Sequence, residues 1–243
     1  MWKACYLLDM GREQAMMQEM EALLDKERLL KYQSMKEGRA KALCLGAGVL
    51  LRLAWTESQT DSPHKIRVKE DKADTPKILT PKEVVDRLRE LPGCAEPRYC
   101  YGEKGKPYFK DSPLSFSLSH SEDLVLCAIA DHEIGADVQR ITSVNWDKLA
   151  IRYFSPQEQD YLGVFAEKRA GCFKPSEEYS KQEFFRLWSR KEAFGKMTGE
   201  GAAAYLRQSF LEEEEGFSVH EGMITLRGVT YCHCIYEQVR GRK

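Results

Sequence analysis

The chain has 243 residues, enough for one large domain or two of about 120, and 42% of them are apolar against 31% charged. That mixture excludes a disordered or collagen-like chain. The 37 basic and 38 acidic side chains leave a net charge of −1, which argues against a protein built to neutralise long stretches of nucleic-acid backbone but leaves room for a local basic pocket.

The longest uncharged run, residues 42–51 between Lys41 and Arg52, is far short of the roughly 18 residues a membrane span needs. Asp9 interrupts the N-terminal stretch too early for a secretory signal. A cytoplasmic protein with no membrane partner is therefore expected. Cysteines at 5, 44, 94, 100, 127, 172, 232 and 234 include no two CxxC pairs at zinc spacing. Cys44 and Cys127 lie in apolar runs and read as reduced, buried small hydrophobes. On a strand, His233 of Cys232-His233-Cys234 points away from both cysteines, so no metal is expected there.

Taken along the chain, Arg28, Lys31, Lys36, Arg39 and Lys41 form a basic stretch whose plain reading is a solvated helix face. Residues 38–55 place Ala40, Leu43, Cys44, Ala47, Leu50, Leu51 and Ala54 at steps of three and four, predicting an amphipathic helix. Residues 56–80 turn polar and read as an excursion from the core. Pro81 and Glu83 then open a short helix that Pro92-Gly93 stops. Residues 99–109 predict a strand-turn segment around Gly-Glu-Lys-Gly-Lys-Pro.

The apolar run at 124–130 predicts a buried strand. Residues 134–138, after the tight Asp131-His132-Glu133 connection, predict its antiparallel hairpin partner. Ser155-Pro156-Gln157-Glu158 and Ser180-Lys181-Gln182-Glu183 are capping boxes. The second opens a helix running to Met197, which Gly199 and Gly201 end. The C-terminal stretch alternates weakly and predicts two or three strands.

Three places combine residue types able to do chemistry. On the helix at 180–198, the line Phe184, Trp188, Glu192, Lys196 starts apolar and ends in a carboxylate and an ammonium. A carboxylate facing the protein needs a cation or a metal; otherwise Glu192 and Lys196 make an ordinary surface pair of about 0.3–0.5 kcal/mol. On Ile134-Gly135-Ala136-Asp137-Val138-Gln139, alternation puts Asp137 and Gln139 on one face, with Gly135 leaving space beside Asp137. A cation, a strand-end hydrogen bond or a salt bridge would each suit that aspartate. The hydroxyl-rich turn Ser117-Leu118-Ser119-His120-Ser121 precedes the buried strand. The chain has no G-x-S-x-G elbow, P-loop or Rossmann fingerprint.

In this order, Gly105-Lys106-Pro107, FSLSHS at 116–121, IGADV at 134–138, RYFSPQE at 152–158 and LWSRKEAFGK at 187–196 resemble the surfactin-synthetase-type 4'-phosphopantetheinyl transferases. The GAGVLLR helix at 46–52 also fits, and the resemblance extends over about residues 40–205. It implies an α+β fold of two similar subdomains, each a long helix packed on a small antiparallel sheet. Here these would be residues 1–112 and 113–243, the second carrying a metal site.

The activity implied is Mg²⁺-dependent transfer of the 4'-phosphopantetheine arm of coenzyme A to a serine of an apo acyl or peptidyl carrier protein, releasing adenosine 3',5'-bisphosphate. By the same resemblance Asp137 and Glu192 would ligate Mg²⁺. Gln139, where many members carry a third acidic residue, would ligate through its amide oxygen or give way to water. Lys196 would neutralise pyrophosphate charge, and Glu192 or a metal-bound hydroxide would take the serine proton. Gly105, Lys106, Pro107, Ser119 and His120 would hold the adenine and 3'-phosphate end, with Arg28, Lys31 and Arg39 as further phosphate contacts. Leu43 falls near the place of an arginine common in the family's first long helix, so that contact would shift to Arg39 or Lys41, or be lost. The alternative that Gln139 and Leu43 motivate is a non-catalytic module binding coenzyme A or a carrier protein. A monomer is expected.

Overall fold

The structure, a computed structural model, describes residues 2–11, 16–59, 75–91, 93, 95–165, 175–212 and 215–239. In chain order its elements begin with β1 (Ala4–Asp9), α1 (Met17–Glu21), α2 (Lys26–Ser34), α3 (Arg39–Gln59), β2 (Lys77–Leu79) and α4 (Pro81–Glu90). β3 (Tyr99–Tyr101), β4 (Pro107–Phe109), β5 (Ser115–Ser121), β6 (Leu124–Ala130) and β7 (Ile134–Arg140) follow. The remainder is α5 (Trp146–Tyr153), α6 (Pro156–Tyr161), α7 (Glu177–Thr198), a 3₁₀ turn at Ala202–Tyr205, β8 (Phe217–Leu226) and β9 (Val229–Gln238).

β6, apolar at every position, is buried on both faces and lies between β1 and β5 in a sheet ordered β2–β1–β6–β5. Alternation sorts its side chains. Val125, Cys127 and Ile129 join Tyr6 and Leu8 of β1 under α3, where Leu50, Leu53 and Ala54 complete one core. Leu126 and Ala128, with Cys5 and Leu7, face the other way and meet Ile134, Ala136, Val138 and Ile235. Those last residues belong to a second antiparallel sheet, ordered β7–β9–β8. Its far face carries Cys232, Cys234 and Tyr236 against Phe184, Leu187, Ala193 and Met197 of α7. The layers therefore run α3, sheet, sheet, α7.

The hairpin expected of β6 and β7 does not form: β6 pairs with β1 and β5, and β7 pairs with β9. A strand buried on both faces takes two strand neighbours, and the unforeseen β1 is one of them; the turn at 131–133 carries the chain into the other sheet. The division expected at 112/113 falls inside the first layer, because β5 and β6 lie beyond it yet hydrogen-bond into the sheet of β1. Within the expected polar excursion α3 continues to Gln59 and β2 adds in parallel to β1, Leu7 opposite Ile78; residues 60–74 lie outside the described residues. α4 opens on the Thr80–Glu83 capping box; its expected stop at Pro92 is also outside them. α7 starts at Glu177 on a Ser176 cap, one turn earlier than expected, so Ser180 is a buried interior residue. Its C-terminus is where the glycines put it, with Gly199 at φ +78° donating to the Gly195 carbonyl. β3 and β4 form the expected strand-turn unit, Tyr99 opposite Phe109.

Candidate active site

Serines at every second position of β5 join the two sheets. The hydroxyl oxygens of Ser117, Ser119 and Ser121 accept the backbone N–H groups of Ala136 (2.9 Å), Val138 (3.4 Å) and Arg140 (2.9 Å). The residue numbers rise by two on both strands, so β5 and β7 run side by side in one direction, with hydroxyls standing where strand carbonyls would accept. This seam fixes the height of Asp137 on β7. Gly135 sets the other distance, because a Cβ there would lie 1.9 Å from the Ala193 carbonyl oxygen and 2.5 Å from the Met197 nitrogen. Only glycine lets α7 rest this close to β7.

Asp137, 1% exposed, is reached from both sides. Its Oδ1 accepts from Lys196 Nζ at 2.6 Å and from Ser119 Oγ at 2.8 Å, and its Oδ2 from Ser189 Oγ at 2.9 Å. Lys196 also donates to Ser119 Oγ at 2.9 Å. The ordinary Glu192–Lys196 surface pair does not form, since the ammonium has turned to Asp137. Glu192 is half-buried and has no hydrogen bond or ion pair among the described residues. Burial pushes its carboxyl up from the ordinary value, the Asp137 charge adds to this, and Lys196 offsets part of it. Two carboxylates thus face a single ammonium. On β7, Gln139 follows Asp137 on the same face, and its side-chain amide has no hydrogen-bond partner among the described residues. These donors are all oxygens, and the spare negative charge is on a carboxylate, a set that fits Mg²⁺. Among the described residues no three His, Cys, Asp or Glu gather into a cation site.

Beside this group opens a cleft of about 220 Å³, lined by Gly105, Lys106, Pro107, Phe116, Ser117 and Lys196 among others. It brings together the β3–β4 turn and the end of α7, joining four of the expected residues. The ammonium of Lys106 is not free in the cleft: it pairs with Glu133 and donates to the Met197 carbonyl at the end of α7. Lys104 and Glu200 make a second tie across the same gap.

Ser119 is engaged within the protein. A hydroxyl has one donor and two acceptor sites, and Asp137, Lys196 and the Val138 N–H use all three. With Lys196 in this position, Ser119 supports Asp137. His120, exposed next to it, has its imidazole pushed below the ordinary value by burial of its inner side and by Lys196.

The three N-terminal cations are not gathered at Asp137. Arg28 is buried under α3 with its guanidinium 5.4 Å from the Tyr99 ring centre. Its apolar stem and ring contact make it a core residue. Lys31 is exposed. Arg39 pairs with Glu122 and Asp123 at the β5–β6 turn.

Two features escaped sequence reasoning. Ser189 lies off the line 184–188–192–196, but the spacing 189, 192, 196 puts it on the face of Glu192 and Lys196. Lys191, 1% exposed, forms a buried ion pair with Glu158 at 2.9 Å. Glu158 also closes the expected capping box on Ser155 and accepts the Phe210 N–H at 3.0 Å. Burial pushes the Lys191 ammonium down while Glu158 opposes the shift. This pair pins α6 to α7 one residue before Glu192.

Part of the chain is similar to known proteins. Residues 133–238, which span β7 to β9 and so include Asp137, Glu192 and Lys196, match the 4'-phosphopantetheinyl transferase superfamily. Among curated relatives, the 4'-phosphopantetheinyl transferase HetI of Nostoc is 35% identical over 112 residues, 44% of this chain and 43% of the relative. The 4'-phosphopantetheinyl transferase AcpT of Salmonella typhimurium is 39% identical over 109 residues, 44% and 52% of the two chains. The 4'-phosphopantetheinyl transferase psf-1 of Bacillus pumilus is 41% identical over 99 residues, 40% and 37%. The matched stretch spans about half or less of these relatives. No helix among the described residues is long and apolar enough to cross a membrane.

Proposed function

We propose that the chain transfers the 4'-phosphopantetheine arm of coenzyme A to a serine of an apo acyl or peptidyl carrier protein, with Mg²⁺ as cofactor. The observation that carries this reading is the convergence of Asp137, Glu192 and Lys196 beside the Gly105-Lys106-Pro107 cleft, inside the segment that matches the superfamily. Asp137 and Glu192, with Gln139 beside them, would hold Mg²⁺, which when bound neutralises charge on the pyrophosphate.

The chain's own residues supply the rest. Lys196, 30% exposed at its side chain, swings from Asp137 to the phosphate oxygens and offsets the charge that develops there. The proton of the incoming hydroxyl goes to Glu192, through a carboxylate oxygen not engaged with the ion. The carrier serine oxygen bonds to the β-phosphorus as the bond from that phosphorus to the bridging oxygen breaks. Adenosine 3',5'-bisphosphate leaves with the bridging oxygen. In this reading the chain is a cytoplasmic monomer of two similar subdomains.

Incubation with coenzyme A, Mg²⁺ and a panel of apo carrier proteins, followed by intact mass measurement, tests it. A carrier that gains the mass of the arm supports transfer. No gain on any carrier, with coenzyme A still bound, favours the non-catalytic module for which Gln139 speaks.

A further inference from the structure

Asp137 is gripped from two directions, and only one of them faces the cleft. On the cleft side Lys196 and Ser119 occupy Oδ1. On the far side stands Ser189, 0% exposed, whose hydroxyl donates to Oδ2 at 2.9 Å. A serine inside a helix ordinarily turns its hydroxyl back to the carbonyl one turn earlier; this one reaches across to β7 instead. Its neighbour Cys232 donates its thiol to the Phe185 carbonyl, so among the described residues Ser189 is the one donor to Oδ2. A carboxylate held at one oxygen can still rotate about its Cβ–Cγ bond; held at both, its plane is fixed.

We propose that Ser189 is a positioning residue for the divalent cation: it fixes the plane of the Asp137 carboxylate, so that Asp137 and Glu192 present oxygen to the same ion. The inference rests on the reading that these two carboxylates hold such an ion. It makes α7 the source of three contributions at i, i+3 and i+7, with Ser189 orienting, Glu192 ligating and Lys196 neutralising. Polar partners that orient metal ligands are worth about 10- to 100-fold in metal affinity.

The test is Mn²⁺ binding to the full chain, followed by electron paramagnetic resonance, for the unaltered protein, Ser189→Ala, Ser189→Cys and Asp137→Asn. Ser189→Cys preserves side-chain shape while weakening the donor, and its melting temperature shows whether the packing is kept. The expected result is a loss of Mn²⁺ affinity of about 10-fold or more in both serine variants, and loss of the site in Asp137→Asn. Unaltered affinity in Ser189→Ala and Ser189→Cys, with the site lost in Asp137→Asn, overturns the positioning role and leaves the ion site standing. Unaltered affinity in Asp137→Asn overturns the ion site itself, and this inference with it.

Discussion

Both long helices lay a carboxylate against the sheet beneath them, and the two are treated in opposite ways. Glu57 at the end of α3 is 3% exposed and fully engaged: the Tyr6 hydroxyl and the Arg87 guanidinium both donate to it. Glu192 on α7 lies beside a second carboxylate, and the one ammonium at hand has gone to Asp137. The first arrangement satisfies its charges within the protein and can do nothing further. The second leaves a half-buried carboxylate with no hydrogen-bond donor among the described residues. An unsatisfied charge on otherwise well-packed elements is what separates a site from a structural ion pair.

Breaking each carboxylate in turn sharpens the contrast. The largest effect is expected from Glu192→Gln: transfer to a carrier falls by about 10²–10⁴-fold, while the melting temperature holds or rises, because a desolvated charge beside Asp137 is removed. Carrier mass analysis and a thermal melt measure the two quantities, and a lower melting temperature with normal transfer would make Glu192 structural. Arg87→Met is the mirror experiment. It leaves Glu57 buried without its cation, and urea denaturation should show a loss of about 3–5 kcal/mol, with transfer per folded molecule unchanged.

A smaller effect separates the buried histidine from both. His233, 2% exposed with neither ring nitrogen hydrogen-bonded among the described residues, is pushed down to about 4 by burial. The unfolded chain's histidine protonates near 6.5, so between these values the unfolded state binds more protons. Stability is then fully present above about pH 6.5 and declines as pH falls to about 4, by up to about 3 kcal/mol. Stability curves for the unaltered protein and His233→Leu across that window should differ in slope; parallel curves would mean that His233 does not titrate this way.

Much of this was legible from residue types. The 3.6-residue rhythm of 38–55 announced α3, Ser155-Pro156-Gln157-Glu158 announced the cap of α6, and period two on β7 put Asp137 and Gln139 on one face. Local pattern carries such facts because each depends on neighbours in sequence. The pairing of β6 with β1, whose partners lie about 120 residues apart (Leu7 opposite Leu126 is one such pair), depends on which distant strand covers an apolar ribbon, and periodicity says nothing of that. The same limit hid the role of Ser119. The family resemblance assigned it to the ligand, whereas its contact with Asp137 depends on the β5–β7 seam. Arg28 looked like a surface cation until α2 packed it under α3. Glu158 was readable as a helix cap, whereas its buried pairing with Lys191 needed α6 and α7 brought side by side.

The account stands on one divalent ion shared by a strand aspartate and a helix glutamate. Crystals grown with Mn²⁺ and coenzyme A, measured at a wavelength where manganese scatters anomalously, put the ion on the map directly. The account expects one peak in contact with carboxylate oxygens of both Asp137 and Glu192 and with the pyrophosphate. A bound coenzyme A whose manganese touches neither carboxylate would contradict it.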